Sequence, residues 1–205
     1  MNRRGKLKPV SGLLFATLLF SCAGGKMGND DPQAQDICAC TPDQPIQGDY
    51  RHNAKHVPLP SGAGTSITVS DILEWPVGPE PAADAPRQGR ELQLYHIEHA
   101  FLRLATVKDD DCDLHLEISE TQDREAPRVI VETPQDSEYC SSRRNLNERL
   151  AELGEQLNLQ SGELKQPRPV NVVGLAFQDS NHPRGSEEVA TVWELHPAIV
   201  KLLPE

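Results

Sequence analysis

The sequence predicts a mainly β domain with one helix, a five-stranded barrel preceded by a flexible tether, and three observations carry that prediction. From Cys112 to Ser119 apolar Cys112, Leu114, Leu116 and Ile118 alternate with Asp113, His115, Glu117 and Ser119, the period-2 pattern of a half-buried strand. Leu146, Leu150, Leu153 and Leu157 recur at steps of four, three and four, the period of an amphipathic helix. Between Ala23 and Thr65, Gly, Asp, Pro, Gln and Ser dominate with no apolar period, so that stretch buries too little to offset the entropy of ordering it. At 205 residues there is room for one ordinary domain with tails. Aromatics make up only 4% of the chain, which argues against a large ligand-stacking platform.

The chain opens with Arg3, Arg4, Lys6 and Lys8, then an apolar run from Leu13 to Phe20 that is too short to span a bilayer, so residues 1–21 read as an export signal. Leu19-Phe20-Ser21-Cys22 resembles the bacterial lipobox. That resemblance implies lipidation at Cys22, with palmitate-type chains that hold the protein on a membrane at about 0.8 kcal/mol per buried methylene. Ala23 after the cysteine, in place of aspartate, implies a cell-envelope lipoprotein of the outer membrane, on its periplasmic or surface face. The plainer reading is an ordinary signal peptide with a chance cysteine. Residues 22–65 follow as the flexible tether; its Cys38-Ala39-Cys40 is either a local or intermolecular disulfide or a soft-metal ligand pair.

Residues 66–89 form a lead-in segment. Ile67 to Pro76 reads as a strand followed by a short helical turn that Pro76 stops; Trp75 plugs one end of a core, and Gly78 to Gly89 is a Pro-rich connector. Residues 90–205 form the barrel domain. Its first strand is long: Leu92 and Leu94 share one side, Tyr95, Ile97 and Phe101 the other, and Leu102 and Leu104 return to the first, which requires a bend or bulge. The alternating strand at Cys112 is the second and Val129-Ile130-Val131 the third. The helix has Ser141 or Ser142 as N-cap and Gly162 beyond its end. Pro169 to Phe177 and Val189 to Leu203 complete the strands. Three strands, a helix and two strands with a long curved first strand resemble the OB-fold, so the domain is expected to be an OB-like five-stranded barrel. An α+β sheet with the same element order is the competing architecture.

With Cys22 lipidated, four cysteines remain. Cys112 and Cys140 both lie inside the domain, and a disulfide between them would contribute about 3 kcal/mol; the alternative is a pair of buried thiols. Asp113-Leu114-His115-Leu116-Glu117 places two acids and an imidazole on one strand face, and Glu194-Leu195-His196-Pro197 repeats the arrangement near the carboxyl end. If the two strands share a barrel rim, His115, Glu117, Glu194 and His196 form a ligand set that suits zinc, with Asp179 and His182 as further ligands or proton acceptors. The bland reading is that they decorate an exposed strand face or form a structural hydrogen-bond network, cross-strand Glu–His pairs adding modest stability. His52 and His56 fall in the tether.

Val107-Lys108-Asp109-Asp110-Asp111-Cys112-Asp113, a strand, a turn and then Arg128-Val129-Ile130-Val131-Glu132-Thr133-Pro134 resemble, distantly, the thermonuclease pattern. In that family acids bind calcium, a glutamate activates water and arginines stabilise the phosphorane; the matching positions are Asp111, Asp113, Glu132 and Arg128. Gln135 stands where the family has an acid. The domain also resembles uncharacterised exported bacterial lipoproteins that pair such a strand with a terminal Glu-Leu-His-Pro, which implies no activity. Removal of the signal takes four basic residues and no acidic ones, moving the net charge from −11 to −15. Such a chain repels phosphates, so nucleic acid is disfavoured as a partner. The sequence points to a lipid-anchored binding or scaffold module whose protein partner or small ligand it does not name; a metal-dependent hydrolase using zinc or calcium is the competing class.

Overall fold

The computed structural model describes residues 37–39, 49–108, 111–155, 157, 162–181 and 186–204; Cys22 with its lipobox, Cys40 and His182 lie outside them. Strand β2 (Leu94–Val107) organises the fold because it serves two neighbours. It pairs antiparallel with β3 (Leu114–Ser119) and with β5 (Glu163–Gln178). Strand β3 continues to β4 (Arg128–Thr133), β4 pairs parallel with β6 (Val189–Leu202), and β6 pairs antiparallel with β5. The order β2-β3-β4-β6-β5 returns to β2 and closes a five-stranded barrel of OB-like topology, with helix α3 (Cys140–Glu152) between β4 and β5. One extra strand, β1 (Thr65–Ile67), lies parallel along β2, followed by a single turn, α2 (Val69–Leu73). No helix among the described residues is long and apolar enough to cross a membrane.

The bend expected in the first strand is present, and it is a pair of bulges. Buried positions run Tyr95, Ile97, Ala100, Leu102 and Ala105. The two steps of three coincide with register shifts, and His99 at the first takes a left-handed φ of 62°. Each extra residue restores the inward phase while the strand curls from one partner to the other. Leu92, expected on a buried face, is 64% exposed, because the strand begins only at Leu94. Leu146 and Leu150 bury the helix against the barrel. Helix α3 starts earlier than a serine cap predicts, since a 3-10 turn at Ser137–Tyr139 feeds it directly and Ser142 Oγ donates back to the Tyr139 carbonyl. It also stops sooner, at Gly154, whose φ of 73° supplies the left-handed residue that ends a helix.

Two expectations are corrected. Cys140 is bonded to Cys38, with the Cα atoms 5.4 Å apart, and not to Cys112; Cys112 is itself in a disulfide, with a partner outside the described residues. Sequence proximity within the domain misled, because Ile37 and Cys38 lie at the start of α3. The stretch read as a flexible tether is, from Asp49 onward, part of the domain. It carries the turn α1 (His52–Lys55), with Ala54 and Lys55 buried. Its anchors are polar, which is why no apolar period announced it. Arg51, 1% exposed, donates to the carbonyls of Ala85, Pro86 and Gln178 and pairs with both oxygens of Glu91. Arg87 bonds the carbonyls of Ala54, Glu91, Ala176 and His196, and Arg143 those of Ile37, Cys112 and Thr133. Each guanidinium presents five donors in a rigid fork, so three arginines fasten segments that hydrophobic burial would not hold.

Candidate metal centre

Strands β3, β4 and β6 turn Leu114, Leu116, Ile118, Val129, Val131 and Leu195 to the core. The opposite face, expected to be half exposed, is buried as well: all six residues of β3 and of β4 are buried. His115, Glu117, Glu132, Glu194 and His196 therefore lie in the interior, and the reading of them as surface decoration does not hold. Register brings them together, with His115 opposite Glu132, and Ile130 of β4 opposite Glu194. Alternation from Trp193 and Leu195 turns Glu194 and His196 to the polar wall, and a further bulge follows. Trp193 and Leu195 face the core, as do Ala198, Val200 and Leu202, so the residues between Leu195 and Ala198 must absorb a phase change. The β5–β6 register shifts there, where Gly174 lies opposite Ala198; a Cβ on Gly174 would stand 2.7 Å from the Ala198 Cβ and 2.9 Å from the Pro197 carbonyl oxygen. The missing side chain gives the bulge its room, and His196 stays on the polar wall.

Glu132 links the two imidazoles expected to meet. Its Oε1 lies 2.7 Å from His115 Nδ1 and its Oε2 2.9 Å from His196 Nδ1, while Glu194 Oε1 is 3.4 Å from the same His196 nitrogen. Asp113, just before β3, accepts the Gln135 backbone N–H through Oδ1 at 2.8 Å and places Oδ2 3.2 Å from His196 Nε2. One ligand atom each from Asp113, Glu132 and His196 lie within 4.8 Å of one another. Glu117 of the expected set is committed elsewhere: the Ser186 N–H and hydroxyl and the Arg128 guanidinium donate to it, and His115 Nε2 is 3.6 Å away. Of the thermonuclease-like positions, Asp113 and Glu132 join the centre. Asp111 accepts the Asp113 N–H instead, and Arg128 is taken up by Glu117 and Glu163. Asp179 is buried near Lys55, whose proton it helps to hold, and is not among the ligand atoms that converge.

The segment Asp49–His56 covers this wall. His56 sends Nδ1 to Asp136 Oδ2 at 2.7 Å and holds Nε2 4.0 Å from Asp113 Oδ2 and 3.9 Å from Asp49 Oδ2. Lys55 Nζ takes the other Asp49 oxygen at 3.0 Å. Asp49, His52 and His56 were passed over because they lie in a stretch without apolar period. The signal that would have found them is their spacing of three and four, which sets side chains on one side of a helical turn.

Opposite charges hold one another inside the cluster. Burial pushes His196 down, but Asp113, Glu132 and Glu194 outweigh it and hold the imidazolium well above the ordinary range. Burial likewise lowers His115, but Glu117 and Glu132 override it and raise the imidazole to about 9. Glu132, pushed up by burial, is carried well below the usual carboxylate range by His115 and His196. Burial also raises Glu117, yet His115, Ser186 and Arg128 bring it to about 2. Even so the hydrogen bonding is incomplete. His196 Nδ1 and Nε2, Asp113 Oδ2, His56 Nε2 and His115 Nε2 are buried with no partner in hydrogen-bonding geometry among the described residues. Zinc–ligand bonds of about 2.0–2.2 Å set neighbouring ligand atoms of a tetrahedron about 3.3–3.6 Å apart, so the three ligand atoms, within 4.8 Å of one another, need only draw together around an ion. Two carboxylates and an imidazole suit zinc; calcium, which takes six to eight oxygens, does not fit this donor set. No family model, curated protein or solved structure matches the chain.

Proposed function

We propose that the chain is a lipid-anchored protein of the cell envelope whose OB-like barrel is a binding module for a divalent cation of the zinc type, held by Asp113, Glu132 and His196. One observation supports the cation above the rest: both nitrogens of a fully buried imidazole lack hydrogen bonds although carboxylate oxygens stand 2.9–3.4 Å from them. Each unmade buried bond costs about 1–3 kcal/mol, and coordination through one of the two nitrogens would remove that cost there. The anchor rests on Leu19-Phe20-Ser21-Cys22. As a hydrolase the same cation would activate water, which needs a coordination position open to substrate. Asp113 and His196 expose no surface, and the residue in the place of the thermonuclease acid, Gln135, serves through its backbone N–H. A binding role is therefore the reading adopted.

Elemental analysis of the full chain, stripped with chelator and reloaded with zinc, is expected to give bound metal that an Asp113→Asn, His196→Ala variant loses. Wild-type protein that takes up none, with no shift of its melting temperature, overturns the reading. For the anchor, labelled palmitate should enter the native protein and not a Cys22→Ala variant; equal labelling of both removes it.

A further inference from the structure

We propose that a second divalent cation of the same class binds at Asp49, His52 and His56 and shares the Asp113 carboxylate with the first; this rests on the reading of the Asp113, Glu132, His196 centre given above. The three residues bring one ligand atom each within 4.8 Å of one another. They stand on one short turn, with the two imidazole rings stacked 4.0 Å apart at their centroids. Two of the three donors, Asp49 and His56, have their second oxygen or nitrogen occupied, which directs the remaining atom. Lys55 holds Asp49 Oδ1, while Oδ2 is hydrogen-bonded with His52 Nδ1 at 3.1 Å and lies 3.9 Å from His56 Nε2. Asp136 holds His56 Nδ1 at 2.7 Å, the carboxylate–imidazole pairing that orients a metal-binding histidine through its other nitrogen.

That other nitrogen is the second observation. His56 Nε2 belongs to a side chain only 10% exposed, makes no hydrogen bond, and points into the space between Asp49 Oδ2 and Asp113 Oδ2. Asp113 Oδ2 is likewise without a hydrogen bond on a side chain of 0% exposure, and it stands between the two imidazoles, 3.2 Å from His196 Nε2 and 4.0 Å from His56 Nε2. A carboxylate oxygen flanked in this way is placed to serve both cations. His52, 36% exposed, marks the outward side of the pair. Imidazole and carboxylate donors in this number favour zinc, or another divalent metal that accepts nitrogen, over calcium.

Zinc titration of the chelator-stripped full chain by calorimetry, with elemental analysis of the product, is expected to give two equivalents per chain. A His52→Ala variant, and a His52→Ala, His56→Ala variant, should each retain one. Because His52 is partly exposed, the single variant keeps the fold intact, and circular dichroism verifies it. One equivalent in the wild type overturns the second position and leaves the first; none overturns both. Two equivalents in the double variant place the extra cation elsewhere and refute the assignment.

Discussion

Replacing Arg51 by Met tests whether polar clamps fix the segment that covers the metal centre. The guanidinium, 1% exposed, makes five hydrogen bonds, two of them to Glu91 at 2.6 and 2.7 Å and three to backbone carbonyls. Methionine fills the same channel, so the loss is electrostatic more than steric. Removing one partner of a buried ion pair costs about 3–5 kcal/mol, because the other charge stays behind uncompensated. Glu91 would still accept the N–H groups of Gln178 and Gln88, which puts the expected loss near the lower end, about 3 kcal/mol. For a domain of this size that lowers the melting temperature by roughly 6–12 °C. The assay is urea and thermal unfolding of the disulfide-intact, chelated protein. An Arg51→Met, Glu91→Gln double variant, with no buried charge left over, should recover at least about 1 kcal/mol of the loss. A single-variant loss under about 1 kcal/mol would refute the reasoning, since it would mean that residues 49–57 are not held down by this clamp.

Acid should weaken the fold through Glu117. Its carboxyl sits near 2 in the folded protein against an ordinary 4.5, so the unfolded chain takes up the proton first; stability of about 3 kcal/mol is fully present above pH 4.5 and lost as pH falls towards 2. Glu117→Gln should flatten that limb in unfolding measured from pH 5 down to 2, and an unchanged slope would count against the pairing. Gly174→Ala pushes a methyl against Ala198 and the Pro197 carbonyl and should cost about 1–3 kcal/mol; an unaltered melting curve would show that the bulge yields freely. Peptide mapping without reduction should recover a Cys38–Cys140 link, and Cys140→Ser should lose about 2–4 kcal/mol. A Cys112–Cys140 peptide would contradict that pairing.

Wherever apolar residues do the work, the fold was legible in the residues alone. Period-2 alternation at Cys112–Ser119, the leucine period of α3, and the phase changes along β2 suffice for a curved first strand and a barrel with its helix between the third and fourth barrel strands, because burial of greasy side chains leaves a periodic trace. The same regularity put His115 and Glu117 on one strand face and Glu194 and His196 on another, but left open whether the two strands meet. It was silent on what joins those faces to the rest. Glu132 between the imidazoles and Asp113 against His196 depend on which strands meet, and the cover formed by Asp49, His52 and His56 on a segment fastened by arginine forks. A polar clamp between residues far apart in the chain has no period. Only the tertiary structure decides which carbonyls and carboxylates meet, and so whether a face patterned like a solvated surface is in fact a buried site.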